Sequence, residues 1–274
     1  MGRYEALERH IRVDHPDVLL FGGDLFPHRM AGVHHRERVI SNFLDEYLAP
    51  MVRSLKEELG PAFPVIGLIL GNDDGRAVEA EMIRLEQEGL WRYLHRGSLL
   101  AGPWSFYGYA FVPPTPFLLK DWERYDVSRH VDPGCISPED GCFTVSVDPR
   151  ELRYTTISDD IALVFKDMDP EHSICMFHSP PYDTVLDRAA LDGKFVDHAP
   201  LDVHVGSIAI RRFIERRMPV MTLHGHIHES AGLTGQWKQY IGPTLACSAA
   251  HNGPELAIIR FSPDHPEAVV RELV

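Results

Sequence analysis

Two short apolar runs in the first third of the chain each stop at a glycine-rich acidic loop, and a helical pattern follows each one. Asp17-Val18-Leu19-Leu20-Phe21 closes at Gly22-Gly23-Asp24, and Val65–Leu70 closes at Gly71-Asn72-Asp73-Asp74. Continuous apolar runs of this length suit parallel strands buried on both faces, and parallel neighbours need a crossover, usually a helix. Ile40–Glu58, with Phe43, Leu44, Tyr47, Leu48, Val52 and Leu55, supplies the first such pattern, and Ala77–Glu88 the second. Tyr4, Leu7 and Ile11 mark an amphipathic helix ahead of both, ending near Asp14-His15-Pro16.

The same alternation returns in the second half. Ser173–Phe177 reads as a strand ending at His178-Ser179-Pro180-Pro181, and Ser207 as the N-cap of a helix over Ile208–Arg217. Val220–Leu223 is a further strand, running into His224-Gly225-His226-Ile227-His228. Strand, polar loop, helix, repeated, is the pattern of an α/β sheet, and ligands bind such sheets at the carboxyl ends of their strands. Between these halves, Trp104–Tyr109 has the alternation of a strand, and Val112-Pro113-Pro114-Thr115-Pro116 must leave regular structure. Asp126–Asp148 is a surface excursion rich in Pro, Gly and charge, able to cover a cleft. Ile161–Phe165 is a short helix or strand, and Gly242–Ala246 and Leu256–Phe261 are closing strands. Without repeats or a break in composition, residues 1–274 read as one domain.

Composition removes several classes of function. A net charge of −13 gives no broad electrostatic footprint for nucleic acid, although bound metal ions can still attract phosphate locally. The start has no apolar stretch of signal-peptide length, and Val65–Leu70 is too short to span a bilayer. Cys135, Cys142, Cys175 and Cys247 form no C-x-x-C pair, so reduced thiols in a cytoplasmic protein are expected.

Asp24, Asn72, His178 and the His226/His228 pair therefore fall at four separate strand ends. Carboxylate, amide oxygen and imidazole together suit divalent ions such as Mn, Fe, Zn or Ni. Taken singly, each has a plainer reading: Asp after Gly-Gly and Gly-Asn-Asp as turns, and His178 as a core histidine. Their joint recurrence at successive strand ends is the informative feature.

The order Gly-Gly-Asp24, Gly-Asn72-Asp-Asp, His178, Gly-His226-Ile-His228 resembles the motif series of the calcineurin-like metallophosphoesterases. That resemblance implies a four-layer αββα sandwich, two mixed β-sheets flanked by helices, and a two-metal site. By position, Asp24 bridges both ions, Asn72, His178 and His226 complete the second, and His228 binds the first. It also implies a small phosphoester substrate, attacked in line by a metal-activated hydroxide. His224 stands where it could touch substrate or the outer shell of the metals.

The chain departs from the pattern twice. Family members open with a strand ending in Asp-x-His, whose side chains complete the first metal; Gly2–Leu7 here resembles the helix after that strand. The natural start is therefore expected upstream of Met1. The residues present form a full set for one ion and a partial set for the other. His10, His15, His34 and His35 have no spacing that fits the gap. The second departure is Asp73, where a histidine aids leaving-group departure in Gly-Asn-His-Asp members. A carboxylate is a poor substitute at neutral pH. Phosphodiesters and activated esters are thus the expected substrates, and Asp73 is a catalytic candidate only through its position. The rival expectations are a non-catalytic or weakly active scaffold of the same fold, and a metal-dependent hydrolase of a non-phosphate bond.

Overall fold

The computed structural model describes residues 2–27 and 43–274. The chain opens with α1 (Gly2–Asp14), whose Ala6, Leu7 and Ile11 are buried, and which stops ahead of Pro16. β1 (Val18–Gly22) follows. The next helical stretch begins with a π-helical turn at Leu44–Leu48 and continues as α2 (Ala49–Leu59), burying Met51, Val52 and Leu55. The first three residues expected in it, 40–42, lie outside the described residues. β2 (Val65–Ile69) is buried at every position after Val65, as a central parallel strand must be. A single 3₁₀ turn over Arg76–Val78 leads into α3 (Glu79–Gln87), then β3 (Arg92–Tyr93).

β4 (Gly97–Ala101) and β5 (Trp104–Tyr109) form a hairpin. Residues 110–148 are irregular apart from one 3₁₀ turn at Pro138–Asp140, as the Pro- and Gly-rich composition required. α4 (Pro149–Tyr154) and α5 (Ile157–Val164) come next; α5 opens on a capping box in which Thr156 and Asp159 satisfy each other's backbone N–H. The apolar run at Ile161–Phe165 is thus the end of a helix. β6 (Ser173–Phe177), a short ribbon of β7 (Phe195–Val196) and β8 (Ala199–Pro200), α6 (Ile208–Arg217) and β9 (Met221–His224) follow. Ser207 caps α6, its hydroxyl accepting from Ile210 N–H. The chain closes with α7 (Ser230–Thr234), β10 (Lys238–Ile241), β11 (Thr244–Ser248), β12 (Ala257–Ser262) and β13 (His265–Leu273).

Two sheets organise these elements. One runs β1-β2-β3, parallel throughout; the other is mixed, ordered β10-β11-β9-β6-β5-β4. They meet where Gly108 of β5 leaves room for Ile69 and Leu94; a Cβ there would lie 2.6 Å from Leu94 and 2.7 Å from Ile69. On the far side of the mixed sheet, Phe177 of β6 packs against Phe165 and against Phe213 of α6. α1, α2 and α3 pack their apolar sides into the same core. The result is the helix–sheet–sheet–helix order of the expected sandwich. Among the described residues β1 pairs as a strand only with β2, and β12 only with β13. Among them, too, no helix is long and apolar enough to cross a membrane.

Candidate metal centre

Since β1 and β2 run parallel, and β6 and β9 likewise, Asp24, Asn72, His178 and His226 all emerge at the same edge of the molecule. Backbone bonds tie the loops of the mixed sheet together there: Gly225 N–H donates to His178 O, and His178 N–H donates to Tyr109 O. Two glycines make the approach of the two sheets feasible. Gly23 has φ +100°, and a Cβ on it would sit 2.5 Å from His178 Nδ1. A Cβ on Gly71 would sit 2.3 Å from Asp24 Oδ1 and 2.5 Å from His178 Cε1. Asp24 and His226 themselves hold left-handed backbone, at φ 54° and 69°. For non-glycine residues that conformation costs about 1 kcal/mol each, and such strain gathers where side chains are aimed for function.

Four donor groups touch. His178 Nε2 lies 3.0 Å from Asn72 Oδ1 and 3.3 Å from Asp24 Oδ2, and His226 Nδ1 lies 2.6 Å from Asn72 Oδ1. The tautomer of His178 follows from its other nitrogen, because Nδ1–H donates to Gly22 O at 2.8 Å. In the neutral ring Nε2 is then a lone pair, aimed at a carboxylate and a carbonyl oxygen. Lone pairs facing one another in a buried site need a proton on Nε2 or a metal ion between them. The titration behaviour puts a proton in that place. Burial alone would lower His178, but the Asp24 carboxylate outweighs it and pushes the ring up to about 9. Burial would raise Asp24, yet His178, His228 and the Asp73 N–H together hold it well below the carboxylate range. Burial, followed by the charge on His178, keeps His226 down at about 3, so that ring is neutral and able to ligate.

The two separations made by His178, 3.0 and 3.3 Å, fit a ligand shell, whereas His226 Nδ1 and Asn72 Oδ1 at 2.6 Å are at hydrogen-bond distance. Donors about 2.1 Å from one ion are themselves roughly 3.0–3.4 Å apart. Among the described residues no three His, Cys, Asp or Glu side chains already surround a common point; the set closes on the Asn72 amide. His228 is the outlying member, its Nε2 3.8 Å from Asp24 Oδ2 and its side chain 46% exposed.

The other expected residues fall in different places. Asp73 is half-buried, and its backbone N–H donates to Asp24 Oδ1 at 3.0 Å, so the residue positions the carboxylate through its main chain. His224 is 3% exposed; Nδ1 pairs with Ser179 O, Nε2 with Thr222 Oγ1, and the ring stacks on Phe177. Both nitrogens are occupied inside the protein, an arrangement that leaves no face for a substrate. His10 turns away to Arg260 and Asp14, and His34 and His35 lie outside the described residues. Sequence reading overlooked Asp74. Fully buried, it accepts from Leu25 N, Phe26 N and Gly71 N, stapling the Asp24 loop to the Asn72 loop. Burial, and then the charge of Asp24, push its carboxyl up to about 7. The available signal was an Asp three residues after a strand-ending glycine, a turn-forming position.

The profile of the family described as calcineurin-like phosphoesterase matches residues 1–230. Its members are metal-dependent phosphoester hydrolases at the general level. Among solved structures, the crystal structure of TT1561 of Thermus thermophilus is similar in fold, with a TM-score of 0.55 and 16% identity, covering 100% of this chain and 94% of that one. A second solved chain has a TM-score of 0.54 and 15% identity over the same shares. No curated protein matches the chain in sequence.

Proposed function

We propose that this chain, which belongs to the calcineurin-like phosphoesterase family, hydrolyses small phosphodiesters and other phosphoesters with good leaving groups. Asp24, Asn72, His178 and His226 would hold one divalent ion, and Asp24 and His228 would contribute to a second. One observation carries the reading: the His178 Nε2 lone pair, fixed by the Nδ1–H bond to Gly22 O, confronts the oxygens of Asp24 and Asn72. A proton on Nε2, or a divalent ion in its place, relieves that confrontation. When bound, a divalent ion supplies positive charge that polarises a phosphoryl oxygen and makes water a better nucleophile.

The protein's own groups do the positioning. Gly22 O selects the His178 tautomer, and the Asp73 N–H orients Asp24 Oδ1. His228, half-exposed, is the member of the set that solvent reaches most easily. Asp73 supplies no imidazole, and leaving groups that depart without a proton suffer least from that lack. The four free cysteines are in keeping with a reducing compartment such as the cytoplasm.

Turnover of bis(para-nitrophenyl) phosphate with added Mn²⁺ tests the proposal. Activity is expected in the unmodified protein and loss of it in Asp24→Ala and His178→Ala. A protein that retains no Mn²⁺, or turnover unchanged in both variants, would sink the enzyme reading and favour a scaffold.

A further inference from the structure

We infer that Tyr4 is a positioning residue of the metal centre, its hydroxyl holding the turn that aims Asp24; the inference rests on the reading of Asp24 as a metal ligand. Gly23 and Asp24 both hold left-handed backbone, at φ 100° and 54°. A left-handed aspartate is disfavoured in isolation, so surrounding groups have to hold the turn. Leu25 N–H donates to Asp74 Oδ2 and Phe26 N–H to Asp74 Oδ1, each at 3.1 Å. Leu25 O, the acceptor between those two donors, takes the hydroxyl of Tyr4 at 2.7 Å. A carbonyl only accepts, so the phenol is the donor. Burial, followed by the charge of Asp74, pushes that phenol above its ordinary value and keeps the proton on it.

The two ties do different jobs. Asp74 also accepts from Gly71 N–H at 2.9 Å, so it fixes the Asp24 loop against the Asn72 loop of the same sheet. Tyr4 comes from α1, and its neighbour Arg3 donates to Gly253 O and, at 3.3 Å, to Pro254 O. Those carbonyls lie in the connection from β11 of the mixed sheet to β12. The first turn of α1 thus grips the Asp24 turn with one residue and the end of the mixed sheet with its neighbour. The carbonyl that Tyr4 holds is one residue from the carboxylate facing His178 Nε2 at 3.3 Å. Without that bond the Leu25 carbonyl is free to turn to water. Asp24 can then relax from its left-handed conformation, which moves the carboxylate off His178.

The ring is fixed independently of its hydroxyl. It packs on Phe43 and Tyr47 with centroids 5.4 and 6.0 Å away, and Phe43 meets Phe26, on the Asp24 loop itself, at 6.2 Å. Tyr4→Phe therefore keeps the aromatic packing and removes one oxygen, which separates the task of the hydroxyl from that of the helix.

Two measurements on the full chain test this, and neither uses turnover. In the metal-free protein, amide hydrogen exchange at Leu25 and Phe26 is expected to quicken about fivefold in Tyr4→Phe, the factor for one net hydrogen bond. Titration calorimetry should show Mn²⁺ binding about tenfold weaker in the same variant, the lower end for groups that act on a metal's ligands. Ile11→Ala is the comparator. Buried on α1 about two turns from Tyr4, it should lower Tm further yet leave Mn²⁺ affinity unchanged. Unchanged affinity in Tyr4→Phe, or unchanged exchange at Leu25 and Phe26, overturns the inference and leaves the metal reading intact. If Tyr4→Phe does not fold, the unmodified chain decides. In guanidinium below the unfolding transition, the Leu25 and Phe26 amides should open together with those of Leu7 and Ile11. Their staying closed while α1 opens overturns the inference. An unmodified protein that takes up no Mn²⁺, or whose affinity survives Asp24→Ala, overturns the metal reading and this inference together.

Discussion

On one side of Asp24, the His178, Asn72 and His226 side chains are enclosed and touch one another at 2.6–3.0 Å; on the other, His228 stands 46% exposed and 3.8 Å away. The enclosed side is held by backbone. Gly22 O orients His178, Gly23 and Gly71 permit the contact, and Asp74 ties the two loops. On the open side, a half-exposed ring faces the Asp24 oxygen across a longer gap. A preorganised half can bind an ion without first ordering its ligands, whereas the open half is free to accept substrate. Under the proposed function, the contrast would separate binding from reaction within one cluster.

Four changes test that contrast, from the largest expected effect to the smallest. Removing an enclosed ligand, as in Asn72→Ala or His178→Ala, should weaken Mn²⁺ binding by at least about a hundredfold, since even outer partners of a metal cost up to that much. Titration calorimetry measures it, and an unchanged affinity would break the comparison. Gly71→Ala should destabilise by about 2 kcal/mol through overpacking, because its Cβ would meet Asp24 and His178. Thermal unfolding reads that loss, which Mn²⁺ should fail to restore. His228→Ala should cost only about tenfold in Mn²⁺ affinity, at the low end of such effects, while turnover falls further than binding. Loss of affinity as large as for His178→Ala would make the two sides equivalent.

Two histidines outside this contrast sharpen it as controls. His224→Phe keeps the stacking on Phe177 but strands Ser179 O and Thr222 Oγ1, so a stability loss of about 1–2 kcal/mol is expected with KM unchanged. A raised KM would return His224 to the substrate. His95 is held well below its ordinary value by burial first and then by Arg96, Arg76 and Arg124. The folded ring stays neutral while the unfolded one protonates, so the unfolded state binds more protons below pH 6.5, and stability falls as pH drops through that range. His95→Gln should flatten this acid limb in Tm against pH, separating loss of the frame from loss at the centre.

Much of the frame was legible because its signals are local. Val18–Gly22, Val65–Ile69 and Ser173–Phe177 are continuous apolar runs closed by Gly or His-Ser-Pro, and each is a strand. Ser207 capped the helix it precedes. The short edge strands Lys238–Ile241 and Gly97–Ala101, and the partner strand His265–Leu273, were not legible. Their residues alternate weakly, and hydrogen bonds to neighbouring strands define them. Ile161–Phe165 was ambiguous until the Thr156–Asp159 capping box was included.

The sequence alone determined which chemistry was available: Asp24, Asn72, His178, His226 and His228, each at a strand end, with glycines beside most of them. It could do so because strand periodicity and loop position are properties of neighbouring residues. Which atoms meet was decided only by the tertiary structure. Register aligned the ends of β1 with β2 and of β6 with β9, and the packing of the two sheets brought residues 24, 72, 178 and 226 into contact. The Gly22 carbonyl then chose the His178 tautomer across 156 positions of chain. The same packing turned His224 inward to Ser179 and Thr222, two residues before His226, which meets Asn72. It also gave Asp74 its place, for no local pattern reveals a carboxylate whose donors come from a distant part of the fold.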